Sequence, residues 1–154
     1  MIGMAHYRRP LVRQEIVERL ALPVDRYATL VHESASIASG TTIGAGTIVQ
    51  PNTVVCRGAS VGNHVFIGPQ CTVSHDAAVE DFATLAVGAT VCGGARLEIG
   101  AYAGARSVIR DGVVVGTGAV VGLGSALFGD LKPGAVAVGC PARVVREGTG
   151  GGSS

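Results

Sequence analysis

The sequence has no tryptophan and only three phenylalanines and three tyrosines. A chain so poor in large aromatics cannot fill its core with them. It also lacks any stretch of about eighteen apolar residues, because Gly, Thr or a charge interrupts every hydrophobic run, so no transmembrane helix is expected. Formal net charge is +1, which leaves no electrostatic footprint for nucleic acid and no polybasic membrane patch. Arg8, Arg9 and Arg13 stand near the N-terminus, but Gln14, Glu15 and Glu18 break the apolar residues behind them, so no signal-peptide core follows. The four cysteines, Cys56, Cys71, Cys92 and Cys140, form no CxxC pair. They are too sparse for a disulfide scaffold and fit small core sites in a reduced, cytoplasmic protein.

What the chain has instead is glycine, 24 of 154 residues, within a composition that is 47% hydrophobic. That is about twice the usual glycine share of roughly 7%. Burying Val, Ile and Ala without large aromatics points to repetition. From Ile37, every sixth residue as far as Leu127 is a large aliphatic, Ala103 excepted. Four places after each anchor stands a small or β-branched residue, from Thr41 through Cys71 and Ala89 to Ser125, and only the last, Leu131, is large. Val31 with Ala35 extends the series one unit back. A period of six fits neither an amphipathic helix nor a simple alternating strand. It fits a short strand and a bend, with the aliphatic and the small residue both pointing inward. Glycine often follows the anchor, as at Gly44, Gly62, Gly68, Gly104, Gly116 and Gly122, where it relieves crowding and permits unusual backbone angles.

The ends read differently. Residues 1–30 hold an N-terminal helix and strand segment. Pro10 suits the first turn of a helix over residues 10–20, Val12, Ile16, Val17 and Leu20 form its apolar stripe, and Pro23 stops it. Tyr27 to His32 reads as a strand entering the repeats, and the helix is expected to cover the open end of the stack. The repeats fill residues 31–132. Asp130, Lys132, Pro133 and Gly134 make a turn into a C-terminal extension over residues 133–147, with a strand-like Ala135 to Val138. Residues 148–154 are Gly, Ser and Thr only, a tail expected to be disordered.

The hexad pattern resembles the hexapeptide-repeat superfamily, whose fold is a left-handed parallel β-helix. In that fold three hexads make one triangular coil, so equivalent positions recur every eighteen residues. Five to six coils at the strand spacing of about 4.8 Å give a prism roughly 25–30 Å tall. Val73-Ser74-His75-Asp76, His32-Glu33-Ser34-Ala35 and Gly139-Cys140-Pro141-Ala142-Arg143 are similar to phrases of the sialic acid O-acetyltransferase and UDP-amino-sugar N-acetyltransferase branch. The resemblance covers residues 8–146. Gly68, Thr84, Cys140 and Glu33 depart from that branch's polar residue, second His, Asn and Pro. Of the branch's sugar-nucleotide domain only a last helix and strand, in residues 8–31, have a counterpart.

The resemblance implies an acetyltransferase that moves an acetyl group from acetyl-coenzyme A to an amine or hydroxyl of a sugar or sugar nucleotide. His75 is then the general base, matched to proton transfer near neutral pH, and Asp76 can orient its ring. One coil beyond His75 is Gly93, whose unshielded N–H can serve the thioester oxygen as an oxyanion donor; the alternative is that Gly93 and Gly94 only make a tight bend. The resemblance also implies a homotrimer with coenzyme A in a groove between subunits. Gly94, Gly104, Ala105, Gly122 and Gly139 are candidates to line it. Arg106, Arg110, Lys132, Arg143 and Arg146 make a basic excess from which the phosphates can draw a partner, Arg143 being the first candidate. No resident metal is expected. His64 falls at a bend on another face and reads as surface or subunit interface, His32 as structural, and His6 as part of a loose terminus. Two other functions stay open. A non-catalytic β-helix scaffold would leave the wall near His75 closed to coenzyme A. A γ-carbonic-anhydrase-like metalloenzyme needs three His ligands, and the coils beyond the entry at His32 hold only His64 and His75, eleven apart and on different faces.

Overall fold

The structure, a computed structural model, describes residues 8–148. His6 and residues 149–154, the greater part of the expected Gly/Ser tail, lie outside the described residues. One helix, α1 (Val12–Leu20), leads into a three-sided left-handed β-helix of about six stacked coils.

Each hexad supplies one two-residue strand, and strands eighteen residues apart pair in parallel. Leu30–Val31 pairs with Ile48–Val49, which pairs with Phe66–Ile67. These begin the first face, which holds eight strands. The second face has six, beginning at Ser36–Ile37, and the third has five, beginning at Thr42–Ile43. The hexad anchors are the second residue of each strand and point inward. From Val49 to Leu127 every one is at most 5% exposed, as are the small partners from Ala59 to Ala119. Side chains of one coil stack on those of the next, so the core is a column that no single coil could bury alone.

The bends follow one backbone rule. The residue three places after each anchor takes a positive φ at fifteen successive corners, from Gly40 to Gly124. Nine of these are glycine, which bears that conformation without strain, and the others include Asn52, His64 and Asp76, residue types that tolerate it. This divides the glycine reading in two. The glycines that follow the anchors relieve crowding only: a Cβ on Gly44 would lie 2.5 Å from the backbone of Gly62. Unusual backbone angles belong to the other column.

Both ends differ from expectation. The helix starts at Val12, two residues after Pro10, and its one fully buried side chain is Arg13, while Leu20 is exposed. Nor does α1 cover the open end. It lies along the corner between the third and first faces, with Leu11 over Gly100 and Arg13 bonded to Ala83 O and Thr84 Oγ1. The first coil stays open, with Val31 44% exposed. Val24–Arg26 forms a 3-10 turn, so the entering strand shrinks to Leu30–Val31, which has a partner on one side only. At the other end the period breaks because the last coil is short. Val120 pairs with Val136 and Val115 bridges Leu131, sixteen residues apart rather than eighteen. Val136–Gly139 continues the first face, and Ala142–Arg146 then turns back antiparallel to it. The larger Leu131, 3% exposed, fills the narrowed end.

Candidate functional site

His75 lies on the corner between Thr72–Val73 of the second face and Ala78–Val79 of the third. Stacking places Arg57, His75, Gly93 and Asp111 in one vertical column there, each paired coil offset by eighteen residues. The bend is closed by the Ala77 N–H on Ser74 O, and Asp76, at φ 58, donates its N–H to Arg57 O in the coil below. That backbone turn brings two adjacent side chains together. His75 Nδ1 and Asp76 Oδ2 are 3.0 Å apart. With a carboxylate at Nδ1, the neutral ring carries its proton there and leaves Nε2 as the basic nitrogen. The Asp76 carboxylate has room because Gly58 lies beneath it; a Cβ on Gly58 would collide with Asp76 Oδ1.

The ring of His75 reaches up over Gly93. A Cβ on Gly93 would lie 2.6 Å from His75 Cε1 and 2.7 Å from Nε2, so residue 93 must be glycine for the ring to stand here. Gly94 has nothing within 4 Å of the place its Cβ would take. The two glycines form a bare notch between His75 below and Asp111 above. The proximity deduced from coil arithmetic is present, but the N–H groups are engaged. Gly93 donates to Asp111 Oδ1 at 3.1 Å, and Gly94 donates to the His75 carbonyl at 3.0 Å. Side-chain caps from the next coil recur at the corner of His64: Ala45 donates to Asn63 Oδ1, and Asn63 to Asp81 Oδ1.

Of the expected coenzyme-binding residues, Gly94 lies in this notch and the others lie elsewhere. Gly104, Ala105 and Gly122 are on the corner between the first and second faces, and Gly139 and Arg143 are in the terminal hairpin. Gly104 is buried and Gly122 half-buried, and neither has room for a side chain. A Cβ on Gly104 would meet the Gly122 backbone at 2.6 Å, and one on Gly122 would meet Val138 Cγ1 at 2.6 Å. Both are small because the stack presses on them. Arg143 is exposed, with Nη1 donating to Ala142 O. On a single chain none of these joins the His75 notch.

His64 occupies the corner between the third and first faces and serves packing. Its ring stacks on Phe82, centroids 5.1 Å apart, and meets the edge of Tyr27 at 4.5 Å. It borders a cavity of about 390 Å³ under α1, lined also by Arg13, Tyr27, Ile48 and Phe66. Burial lowers the Arg13 pKa to about 10 by stripping water from the cation, while Ala83 O and Thr84 Oγ1 accept hydrogen bonds from it. Burial also lowers the pKa of His64; Asp81 opposes that shift and Arg13 adds to it. Among the described residues no three His, Cys, Asp or Glu side chains are grouped to hold a metal ion.

Neither Cys71 nor Cys92 is poised as a nucleophile. Cys71 is buried, its Sγ donates to Ala86 O at 3.0 Å, and burial pushes its pKa up to about 11. Cys92, beside the notch, is also raised, by burial first and then by the Asp111 charge. Asp111 was not among the residues singled out from sequence. The signal was available, since it stands one coil beyond Gly93.

No protein-family model and no curated protein matches the chain. Solved structures do. The acetyltransferase domain of PglB from Neisseria gonorrhoeae, in complex with acetyl coenzyme A, superposes with a TM-score of 0.82 at 26% identity, over 89% of this chain and 67% of that one. WeeI from Acinetobacter baumannii gives 0.78 at 25% identity over the same shares. GDP-perosamine N-acetyl transferase from Caulobacter crescentus, in complex with CoA and GDP-perosamine, shares the fold at 22% identity and a TM-score of 0.67, over 92% of this chain and 66% of that one. With the repeat and the coil geometry, these likenesses make the chain a hexapeptide-repeat left-handed β-helix of the kind on which sugar acyltransferases are built.

Proposed function

We propose that the chain transfers an acetyl group from acetyl-coenzyme A to an amine or hydroxyl of a sugar or sugar nucleotide, with His75 as general base. The observation that carries this reading is the His75–Asp76 pair, whose free Nε2 faces the bare Gly93–Gly94 notch. The likeness to an acetyl-coenzyme A complex supports the donor, and the N-acyl transfer named for several similar structures favours an amine acceptor. As the acceptor attacks the thioester carbon, its proton passes to His75 Nε2, and Asp76 stabilises the imidazolium through Nδ1–H. The new C–N or C–O bond forms, the C–S bond breaks, and the proton held by His75 goes to the departing thiolate. Negative charge on the carbonyl oxygen falls beside Gly93, whose N–H can receive it once Asp111 Oδ1 releases it.

The site on one chain is open to water, with the His75 and Asp76 side chains 72% and 74% exposed. A base this wet gains little from electrostatic preorganisation until a second surface excludes solvent. The second face, which runs into this corner, presents Val54 and Val108 outward, each over 40% exposed. We assign that face to contact with another copy in a homotrimer, so that the notch closes between subunits.

Calorimetry with acetyl-coenzyme A tests the reading. Saturable binding at one site per chain is expected. His75→Ala should keep that binding while turnover on an amino-sugar panel falls by about 10²-fold or more, the usual contribution of a general base. Absence of binding at millimolar ligand, in a protein shown to be a trimer, would end the enzyme reading in favour of a scaffold.

A further inference from the structure

Resting on the acetyl-transfer reading, we propose that Asp111 guards the acyl-oxygen position, so that it sets the balance between binding of acetyl-coenzyme A and of free coenzyme A. Gly93 lies against the basic nitrogen of His75, and Asp111 Oδ1 holds its N–H at 3.1 Å. The place of the missing Gly93 Cβ lies 2.7 Å from His75 Nε2 and 3.3 Å from Asp111 Oδ1. His75 and the Asp111 carboxylate thus face one small space from below and above. That space is where an acyl oxygen must enter to reach the donor.

A carboxylate is a stronger acceptor for a backbone N–H than a neutral thioester carbonyl, because charge-assisted hydrogen bonds are roughly twice as strong. The thioester oxygen therefore displaces Asp111 at a cost, and free coenzyme A, which has no acyl oxygen, bears none of it. The guard shares the bond type of the caps of Asn63 and Asp81 on Ala45 and Asn63, but here the capped residue is packed directly against a histidine Nε2. Asp111 is exposed at the corner, and Gly112 beside it has nothing within 4 Å of its Cβ position, so the side chain has room to swing aside.

The experiment measures the dissociation constants of acetyl-coenzyme A and of coenzyme A separately, for the intact chain and for Asp111→Ala and Asp111→Asn. Asp111→Ala should tighten acetyl-coenzyme A by up to about tenfold, the equivalent of one hydrogen bond. It should leave coenzyme A within about twofold, the uncertainty of independent sites. Asp111→Asn keeps an acceptor oxygen without its charge and should fall between. An equal shift for both ligands makes Asp111 a general charge effect and overturns the guard, as does no shift or a weakening. Binding to the unaltered chain with an unchanged ratio sinks the guard alone. Failure of acetyl-coenzyme A to bind any of the three proteins sinks the acetyl-transfer reading with it.

Discussion

Gly93 is small for the sake of its neighbour. Its φ is not in the left-handed region, so alanine there meets no backbone strain, and the collision falls mainly on the His75 ring, with a closer contact to Asp111 Oδ1 at 3.3 Å. Gly93→Ala should therefore leave thermal stability near that of the parent while cutting turnover by about 10²-fold, through misplacement of the base by an ångström or so. Equal losses of melting temperature and of activity would show a folding effect and remove Gly93 from the site. At this scale the sequence told part of the story. His75, Asp76 and Gly93 were reachable through the resemblance and the eighteen-residue step. Asp111 was missed because an exposed aspartate at a bend looks like any other until the hydrogen bond to Gly93 is seen. The crowding at Gly104 and Gly122 was not legible, because a missing side chain signals either an open surface or a crowded one, and the sequence does not say which.

The elements divide the same way. The two-residue strands were legible because inward anchors alone produce a period of six, and each of them from Val49 onward is buried as expected. The docking of α1 was not legible. Its apolar stripe suggested an end cap, whereas the contacts that fix it are Arg13 on the Ala83 carbonyl, Leu11 over Gly100 and Tyr27 against His64. These hold it to a side corner. That packing makes the segment sensitive to acid. Burial and Arg13 depress the pKa of His64, with Asp81 opposing. A depressed histidine binds its proton more readily in the unfolded chain, so its contribution is complete above the unfolded value of about 6.5. It is lost as pH falls through the lower folded value. His64→Asn, a residue type that accepts φ 54, should show a smaller drop in melting temperature between pH 7.5 and 5 than the parent. An identical drop would mean that His64 does not report on this packing.

For the whole molecule, the prism has faces of unequal use. The third–first corner carries α1, the second–third corner carries His75, and the second face shows Val54 and Val108 to solvent. A charge on that face should split the proposed trimer. Val108→Glu is expected to convert a trimer to monomers in light scattering while circular dichroism stays that of the β-helix. Loss of acetyl-coenzyme A binding in the same variant would follow if the groove needs two subunits. A trimer that survives the substitution would move the contact to another face.

The two short residues of the last coil reach further than local packing. Paired strands stacked along an axis are a template on which another copy can lengthen the stack, the geometry of a fibre. Here the final coil, two residues short, narrows over Leu131, and Ala142–Arg146 reverses direction beside the last parallel strand. Growth that adds one prism head-to-tail on another requires each face to accept a parallel strand, and the first face at this end presents an antiparallel one instead. The break in the repeat is thus a terminator, in the polymer sense, for that face.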